Sequence, residues 1–184
     1  MKIILLRHGP PDFIARSVGP DNPPPKALHS YEASSVKEPP PDHLRQLLQS
    51  ANLCVTSELE RARNSATLLQ LEPVDSTNLL NEAGLPHPNQ LYVHLPWPVF
   101  LTLFRVLWLF GYRRNCRGRI EDRQQARRAC DYLCKAATQH KSVIGIGHGI
   151  MNRLICAELK KSGWSVASRS GTGYWSSITL QKIP

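Results

Sequence analysis

Long apolar runs are missing from this 184-residue sequence. Its most hydrophobic window, residues 97–110, is too short to span a bilayer, and Arg105 interrupts it. The apolar run near the amino terminus, Ile3 to Leu6, is too short for the core of a secretory signal. These absences predict a cytoplasmic protein without a membrane-spanning segment.

The window at 97–110 therefore needs another interpretation. A buried helix, or a flap over an active site, is favoured for it. Several arginines follow closely: Arg113, Arg114, Arg117 and Arg119. Self-association as a homodimer and contact with a membrane surface are the remaining alternatives, and membrane contact is not expected.

Patterns typical of disulfides and metal sites are also scarce. The five cysteines are an odd number, and with no secretory signal expected, reduced thiols are predicted. Cys130 and Cys134 lie one helical turn apart, but no second pair of ligands has a suitable spacing. We therefore expect no metal site.

Acidic residues are few relative to basic ones. Lysine and arginine number 23 against 14 aspartate and glutamate residues, which gives a formal net charge of +9. Such a field attracts anionic ligands, although a basic surface kept for solubility explains the same excess. No nucleic-acid-binding motif accompanies the charge, so no specific nucleic acid is expected as a partner.

Short strand-like and helix-like segments alternate along the chain. Strands are predicted over 2–6, 52–57, 74–80, 141–147 and 174–183, and helices over 41–50, 58–70, 119–139 and 149–160. This alternation predicts an α/β three-layer sandwich with a mostly parallel central sheet flanked by helices. We expect one domain over residues 1–184, with a Pro-rich loop at about 10–41 and an apolar insertion at about 91–118.

Two His-Gly pairs follow two of the predicted strands. Residues 7–9 (Arg-His-Gly) end the first strand, and residues 147–149 (Gly-His-Gly) end the fourth. Ligands of open parallel sheets bind outside the carboxyl ends of the strands, so both histidines are expected at one crevice. Arg61 lies near the start of the helix after the second strand, and Glu82 follows the next apolar segment.

These residue types suit phosphoryl transfer. Arg7 and Arg61 can clamp the anionic phosphoryl oxygens, and His148 can donate to an oxygen whose charge changes. Nearby cations keep His8 neutral, which leaves a lone pair for in-line attack. Protonated Glu82 can donate a proton to the leaving alkoxide, and the resulting carboxylate can then activate water.

Each of these residues alone has a plainer interpretation. Residues 7–9 would be a basic surface turn, His148 a packed histidine, Arg61 part of a solvated helix face and Glu82 a loop carboxylate. It is their combination, in order and each at a strand end or helix start, that favours an active site.

Three blocks of the sequence resemble the histidine phosphatase (phosphoglycerate mutase-like) superfamily. Residues 5–9 (Leu-Leu-Arg-His-Gly) resemble its amino-terminal signature, and residues 143–149 resemble the block with its second pocket histidine. Residues 56–66 (Thr-Ser-Glu-Leu-Glu-Arg-Ala-Arg-Asn-Ser-Ala) are similar to its Ser-Ser-Pro-Leu-x-Arg-Ala block. Residues 10–50 and 90–120 carry no such match.

The resemblance implies a small phosphatase that hydrolyses a phosphate monoester, or a phosphohistidine, through a covalent phosphohistidine on His8. It implies that Arg7, Arg61 and His148 complete the phosphate pocket and that Glu82 is the acid. A small phosphorylated molecule or a phosphoprotein is then the partner. No metal or organic cofactor is implied.

The sequence departs from the superfamily pattern directly after the first signature. Proline follows Gly9 twice where many members carry Glu-Thr or a nearby Asn, so the polar contact from that loop is missing or comes from Asp12, Arg16 or Ser17. Glu58 replaces the usual proline, and Gly147 stands where serine is common.

Two alternative functions stay open at this point. Phosphoglycerate mutase-type transfer would use the same fold, but the chain stops at Pro184, soon after its last predicted strand. The larger mutases carry a tail that excludes water, so hydrolysis is favoured here. A catalytically weak phosphate-binding regulatory protein is compatible with the altered loop at 10–17.

Overall fold

The computed structural model describes residues 1–14, 17–42, 44, 48 and 51–182. Six strands form its central sheet: β1 (Lys2–Arg7), β3 (Leu53–Ser57), β4 (Asp75–Thr77), β6 (Ser142–Gly147), β7 (Ser165–Arg169) and β8 (Ser177–Gln181). A separate two-stranded ribbon pairs β2 (Ser17–Val18) with β5 (Leu95–Pro96). The helices are α1 (Pro24–Glu32), α2 (Glu60–Leu68), α3 (Trp97–Leu109), α4 (Arg119–His140) and α5 (Gly149–Lys161), and a 3₁₀ turn spans Asn78–Leu80.

The strand order of the central sheet is β4-β3-β6-β1-β8-β7. The first four strands are parallel, while β8 runs antiparallel to both β1 and β7. All six residues of β6 are buried, which explains why this strand is a continuous apolar and glycine run in the sequence. The predicted α/β fold with a mostly parallel sheet is confirmed.

Alternate residues of β1 point to two different cores, one on each face of the sheet. Ile3 and Leu5 pack with the buried faces of α4 and α5, whereas Ile4 and Leu6 pack with α2. Helices therefore cover both faces, and the three layers follow from this division. Buried Leu44 and Leu48 join the second core. Residues 43, 45–47, 49 and 50 of the helix predicted over 41–50 lie outside the described residues.

The prediction of mostly loop over 10–41 was wrong in part, because α1 lies within it. The helix begins at Pro24, with Pro23 as its N-cap residue. Proline is tolerated in the first turn because the amide hydrogen that it lacks would have no helical acceptor there. Its ring also fixes φ at a helical value. Ala27 and Leu28 of α1 pack into a third apolar cluster.

The edges of the sheet differ most from the prediction. The strand expected over 74–80 is only β4, three residues long, followed by the 3₁₀ turn. The last strand begins at Ser177, so Tyr174 precedes it in a loop. Strand β7 was not predicted, because four of its five residues are exposed and give no apolar alternation.

Helix α3 accounts for the apolar window at 97–110. One face is buried through Trp97, Phe100, Phe104 and Trp108, three of which belong to the cluster that contains α1. Its opposite face exposes Val99, Leu103 and Val106. Among the described residues, no helix combines the length and the apolar character needed to cross a membrane.

Candidate active site

Three polar side chains meet where three neighbouring strands end. Ser57 is the last residue of β3, while His8 and His148 directly follow β1 and β6. The two imidazole rings are buried, and their centroids lie 4.8 Å apart. The structure therefore places both predicted histidines at one crevice, because neighbouring parallel strands end at the same edge of a sheet.

Hydrogen bonds fix the tautomer of His8. Its Nδ1 lies 2.7 Å from the carbonyl oxygen of Gly9, and a carbonyl can only accept, so Nδ1 carries the hydrogen. The Nε2 atom is then the unprotonated nitrogen, and it accepts from Arg61 Nε at 3.3 Å. The basic lone pair of His8 consequently points at a guanidinium group.

Both histidines are held in the neutral form. Burial, together with the positive charges of Arg61 and Arg7, lowers the pKa of His8 to about 3, although the hydrogen bond to Gly9 opposes the shift. Burial likewise lowers the pKa of His148 well below 6.5, with Arg61 and His8 adding to the effect. Neutral His8 retains the lone pair that nucleophilic attack requires.

Arg61 is held by helix α1, which lies in the Pro-rich segment. Its side chain is 2% exposed, and its Nη1 donates to the carbonyl oxygens of Tyr31 at 3.5 Å and Glu32 at 3.3 Å. These carbonyls end α1, where the last turn leaves carbonyl groups without helical partners. The Arg61 guanidinium also lies 4.7 Å from the centre of the Tyr31 ring. Sequence reasoning missed Tyr31 because it missed α1.

Ser65 joins the loop that follows β1 to the helix that carries Arg61. The amide of Gly9 donates to Ser65 Oγ at 2.9 Å, and Ser65 Oγ donates to the carbonyl oxygen of Arg61 at 2.7 Å. Glycine is required at position 9, since an added Cβ would lie 2.4 Å from the ring of Trp175. The spacing between His8 and Arg61 is thereby fixed by backbone as well as side-chain contacts.

His148 is oriented by Ser57. The Nε2 atom of His148 lies 2.8 Å from Ser57 Oγ, which also accepts from the amide of Leu59 at 3.1 Å. The other ring nitrogen, Nδ1, is buried and has no hydrogen-bond partner in the described part of the chain. Ser57 thus fixes the ring through one nitrogen and leaves the other uncommitted.

Arg7 is held by the loop between β7 and β8. Its Nη1 donates to the carbonyl oxygen of Thr172 at 3.1 Å, and its guanidinium lies 4.3 Å from the centre of the Tyr174 ring. The same tyrosine lies 5.5 Å from His8, measured between ring centres. Gly149 packs against Arg7, since a Cβ there would lie 3.4 Å from Cζ. Tyr174 is a site residue that the sequence did not reveal.

Glu82 lines the same pocket as Arg7 and Arg61. Its Oε1 accepts from the amide of Ala83 at 2.9 Å and from the amide of Met151, in the first turn of α5, at 3.1 Å. Arg7, Arg61 and Glu82 all line one pocket of about 850 Å³. All five predicted residues are therefore brought to one region, with both histidines buried behind the arginines.

The loop that carries Glu82 is tied down by α4. Gln125 Nε2 lies within hydrogen-bonding distance of three backbone carbonyls, those of Asn78, Leu79 and Asn81, at 3.0, 3.1 and 3.0 Å. Asp122 Oδ2 accepts from the amide of Gly84 at 2.8 Å, and burial raises the Asp122 pKa. Both polar side chains are buried, and through these hydrogen bonds they hold the loop that carries Glu82 in place.

Asp12 and Ser17, two of the residues proposed to replace the usual polar contact after Gly9, do not line the pocket. Asp12 forms an ion pair with Lys37, with 2.5 Å between Oδ2 and Nζ. Ser17 begins β2, and neither residue lines the pocket within the described ranges. Arg16 lies outside the described residues.

Metal ligation has no candidate cluster at this site. Within residues 1–14, 17–42, 44, 48 and 51–182, no group of three or more His, Cys, Asp or Glu side chains is placed to hold a metal ion. The thiol of Cys130 contacts Ser162 Oγ at 3.7 Å.

Comparison by sequence finds no matching family model and no matching curated protein. Comparison by structure finds clear likenesses. A mycobacterial glucosyl-3-phosphoglycerate phosphatase is 17% identical, with a TM-score of 0.59 over 98% of this chain and 89% of the other. The phosphoserine phosphatase of Entamoeba histolytica, solved with 3-phosphoglyceric acid, is 13% identical, with a TM-score of 0.59 over 97% and 89%.

A third solved structure, mycobacterial hydrolase 1, is 16% identical and superposes with a TM-score of 0.61 over 97% of this chain and 87% of the other. At such identities a likeness establishes the fold. The chain therefore shares the fold of these solved structures, and the predicted resemblance is confirmed at the level of the fold.

Proposed function

We propose that the protein is a phosphatase that hydrolyses a phosphate monoester, or a phosphohistidine, through a phosphohistidine on Nε2 of His8. The observation that carries the proposal is the tautomer of His8. A hydrogen on Nδ1, bound to the Gly9 carbonyl, leaves Nε2 as a nucleophile directed at Arg61. A merely packed histidine does not need a buried guanidinium at its free nitrogen, as His8 has in Arg61.

The first chemical step forms the N–P bond and breaks the P–O bond of the ester. Phosphoryl oxygens would replace Nε2 of His8 as the acceptors of the Arg61 hydrogens, and Arg7 would bind them from the opposite side. The uncommitted Nδ1 of His148 would donate to a phosphoryl oxygen. Protonated Glu82 would give its proton to the leaving oxygen.

The second step reverses the role of Glu82. Its carboxylate takes a proton from water, the resulting hydroxide attacks phosphorus, and the N–P bond breaks. Nε2 of His8 regains its lone pair, and inorganic phosphate leaves. The amides of Ala83 and Met151 bind Oε1 of Glu82 and so hold its carboxyl group at the pocket in both steps.

Two structural neighbours are phosphatases named for small phosphorylated compounds, which supports a phosphorylated small molecule as the partner. Phosphoglycerate mutase-type transfer and phosphate binding without turnover are the competing functions. Among the described residues, no contact in the site favours either of them over hydrolysis.

The decisive experiment traps the intermediate. The protein is mixed with ³²P-labelled phenyl phosphate and quenched in alkali, in which phosphohistidine survives and from which acid should release the label. We expect label on His8, no label in His8→Ala, and normal labelling in His140→Ala, which changes an exposed histidine.

The same experiment separates the three functions. Release of labelled phosphate to water supports a phosphatase. Transfer of the label to an added phosphoglycerate acceptor in preference to water would establish a mutase. Binding of phosphate with neither labelling nor release would leave a regulatory protein. Full turnover by His8→Ala would refute the mechanism.

A further inference from the structure

A basic recess adjoins the catalytic pocket. It has a volume of about 450 Å³, and its lining consists of Arg153, Cys156, Ala157, Lys160, Lys161 and Arg169. Four of these six residues are cations, and no carboxylate is among the described residues that line it. Arg153 also lines the catalytic pocket, so the two spaces share a wall.

The cations at the far end of the recess have ordinary structural explanations. Lys160 and Lys161 lie in the last turn of α5, where the helix dipole stabilises positive charge. Lys161 also pairs with Glu158, with 2.5 Å between Nζ and Oε1. Arg169 Nη2 contacts the thiol of Cys156 at 3.7 Å.

Arg153 has neither explanation. It lies in the amino-terminal half of α5, where the helix dipole does not stabilise a cation. Its side chain is exposed and makes no hydrogen bond or ion pair with the described residues. An arginine without a partner at the wall of an anion-binding pocket is available for a ligand.

The position of Arg153 relative to the phosphate pocket follows from the helix. Gly149 and Arg153 are four residues apart and so lie on the same face of α5, about 6 Å apart along its axis. Gly149 is the residue that packs against the guanidinium of Arg7. An anion at Arg153 would therefore lie about one helical turn from a phosphoryl group held by Arg7.

We propose that Arg153 binds a second anionic group of the substrate, at the junction of the catalytic pocket and the basic recess. The substrate is then a phosphate ester that carries another phosphate or a carboxylate about one helical turn from the scissile phosphate. This inference rests on the proposed phosphatase function and names its substrate class.

A series of matched esters tests the proposal. Turnover is measured for the terminal bisphosphates of ethanediol, propanediol and butanediol, each paired with the corresponding monophosphate. The carboxylate version of the second group is tested with carboxyalkyl phosphates of the same lengths. The variants are Arg153→Gln and, as a matched control, Arg128→Gln, which changes an exposed arginine of α4 that lines neither space.

The parent protein is expected to prefer the doubly anionic ester of the best length by about tenfold in kcat/KM, the size of one charge-assisted hydrogen bond. Arg153→Gln should remove most of that preference, mainly through KM, and Arg128→Gln should keep it. Equal kcat/KM for the paired esters in the parent would overturn the proposal, as would an equal loss for both esters in Arg153→Gln. In either case measurable monophosphate turnover would leave the phosphatase function standing, whereas no turnover of any ester would refute that function itself.

Discussion

Acid should destabilise this fold through the two histidines of the site. Both are buried and neutral in the folded protein, with the pKa of His8 at about 3 and that of His148 well below 6.5. In the unfolded chain each would titrate near 6.5. Between these values the unfolded chain binds more protons than the folded one, so the free energy of unfolding falls as the pH falls.

The size of the effect follows from the number of protons. Each histidine lowers the free energy of unfolding by up to about 1.4 kcal/mol per pH unit in this window. Because the unfolded histidine is half protonated at pH 6.5, His8 alone then removes about 2.3 kcal/mol between pH 6.5 and about 4.5, and His148 acts in the same direction. Domains of ordinary stability have only about 5–15 kcal/mol in total, so the loss is readily measured.

Urea unfolding at a series of pH values gives the test. The parent is compared with His8→Asn, whose side chain cannot be protonated, and with His140→Asn, which changes an exposed histidine. Carboxylates also titrate in this range, but they contribute equally to all three proteins and cancel in the difference. His8→Asn should show a slope shallower by about one proton. Parallel slopes for the parent and His8→Asn would refute the reasoning.

Three further predictions concern activity. Arg61→Ala should lose about 2–3 kcal/mol of transition-state stabilisation, whereas exposed Arg63→Ala should not; equal inhibition of Arg61→Ala and the parent by vanadate would reassign Arg61 to a structural role. Glu82→Gln should slow alkyl phosphates by about 10²–10⁴-fold and p-nitrophenyl phosphate much less in burst-phase measurements, and equal losses would exclude Glu82 as the acid. Gln125→Leu should cost about 1–3 kcal/mol of stability, because buried carbonyls lose their donor, and should show the same leaving-group pattern as Glu82→Gln. Exposed Gln124→Leu is its control, and a Gln125→Leu enzyme with uniform losses would show that the contact does not position the acid.

The meeting of His8 and His148 at one edge of the sheet could be predicted from the sequence for a physical reason. Strands β1 and β6 are buried on both faces, so each is a continuous run without polar interruptions, and the first polar residue after each run marks the strand end. Because parallel neighbours end at one edge, His8 and His148 had to be close.

The parts of the site that the sequence did not reveal depend on contacts between distant segments. Arg7 and Thr172 are 165 residues apart in the chain. Arg61 is held by backbone carbonyl oxygens, and because every residue has such a carbonyl, the sequence gives no sign of this contact. The sequence does contain a signal for Gln125, because it is a polar residue on the buried face of α4, near Ala126 and Ala129. A polar side chain at such a position indicates an internal hydrogen-bonding role.

The segment at about 91–118 contacts both the catalytic pocket and the loop that carries Glu82. Arg105 of α3 donates to the carbonyl oxygen of Gly84 at 2.9 Å, and Arg117, at the far end of the insertion, donates to that of Glu82 at 2.9 Å. Leu101, Arg105 and other residues of the same segment line the catalytic pocket. We therefore expect a change in this segment that reshapes the pocket also to move the backbone of the loop that carries Glu82, the proposed acid. Because general acid catalysis requires the carboxyl group within hydrogen-bonding reach of the leaving oxygen, new substrate preferences gained there should alter kcat together with KM.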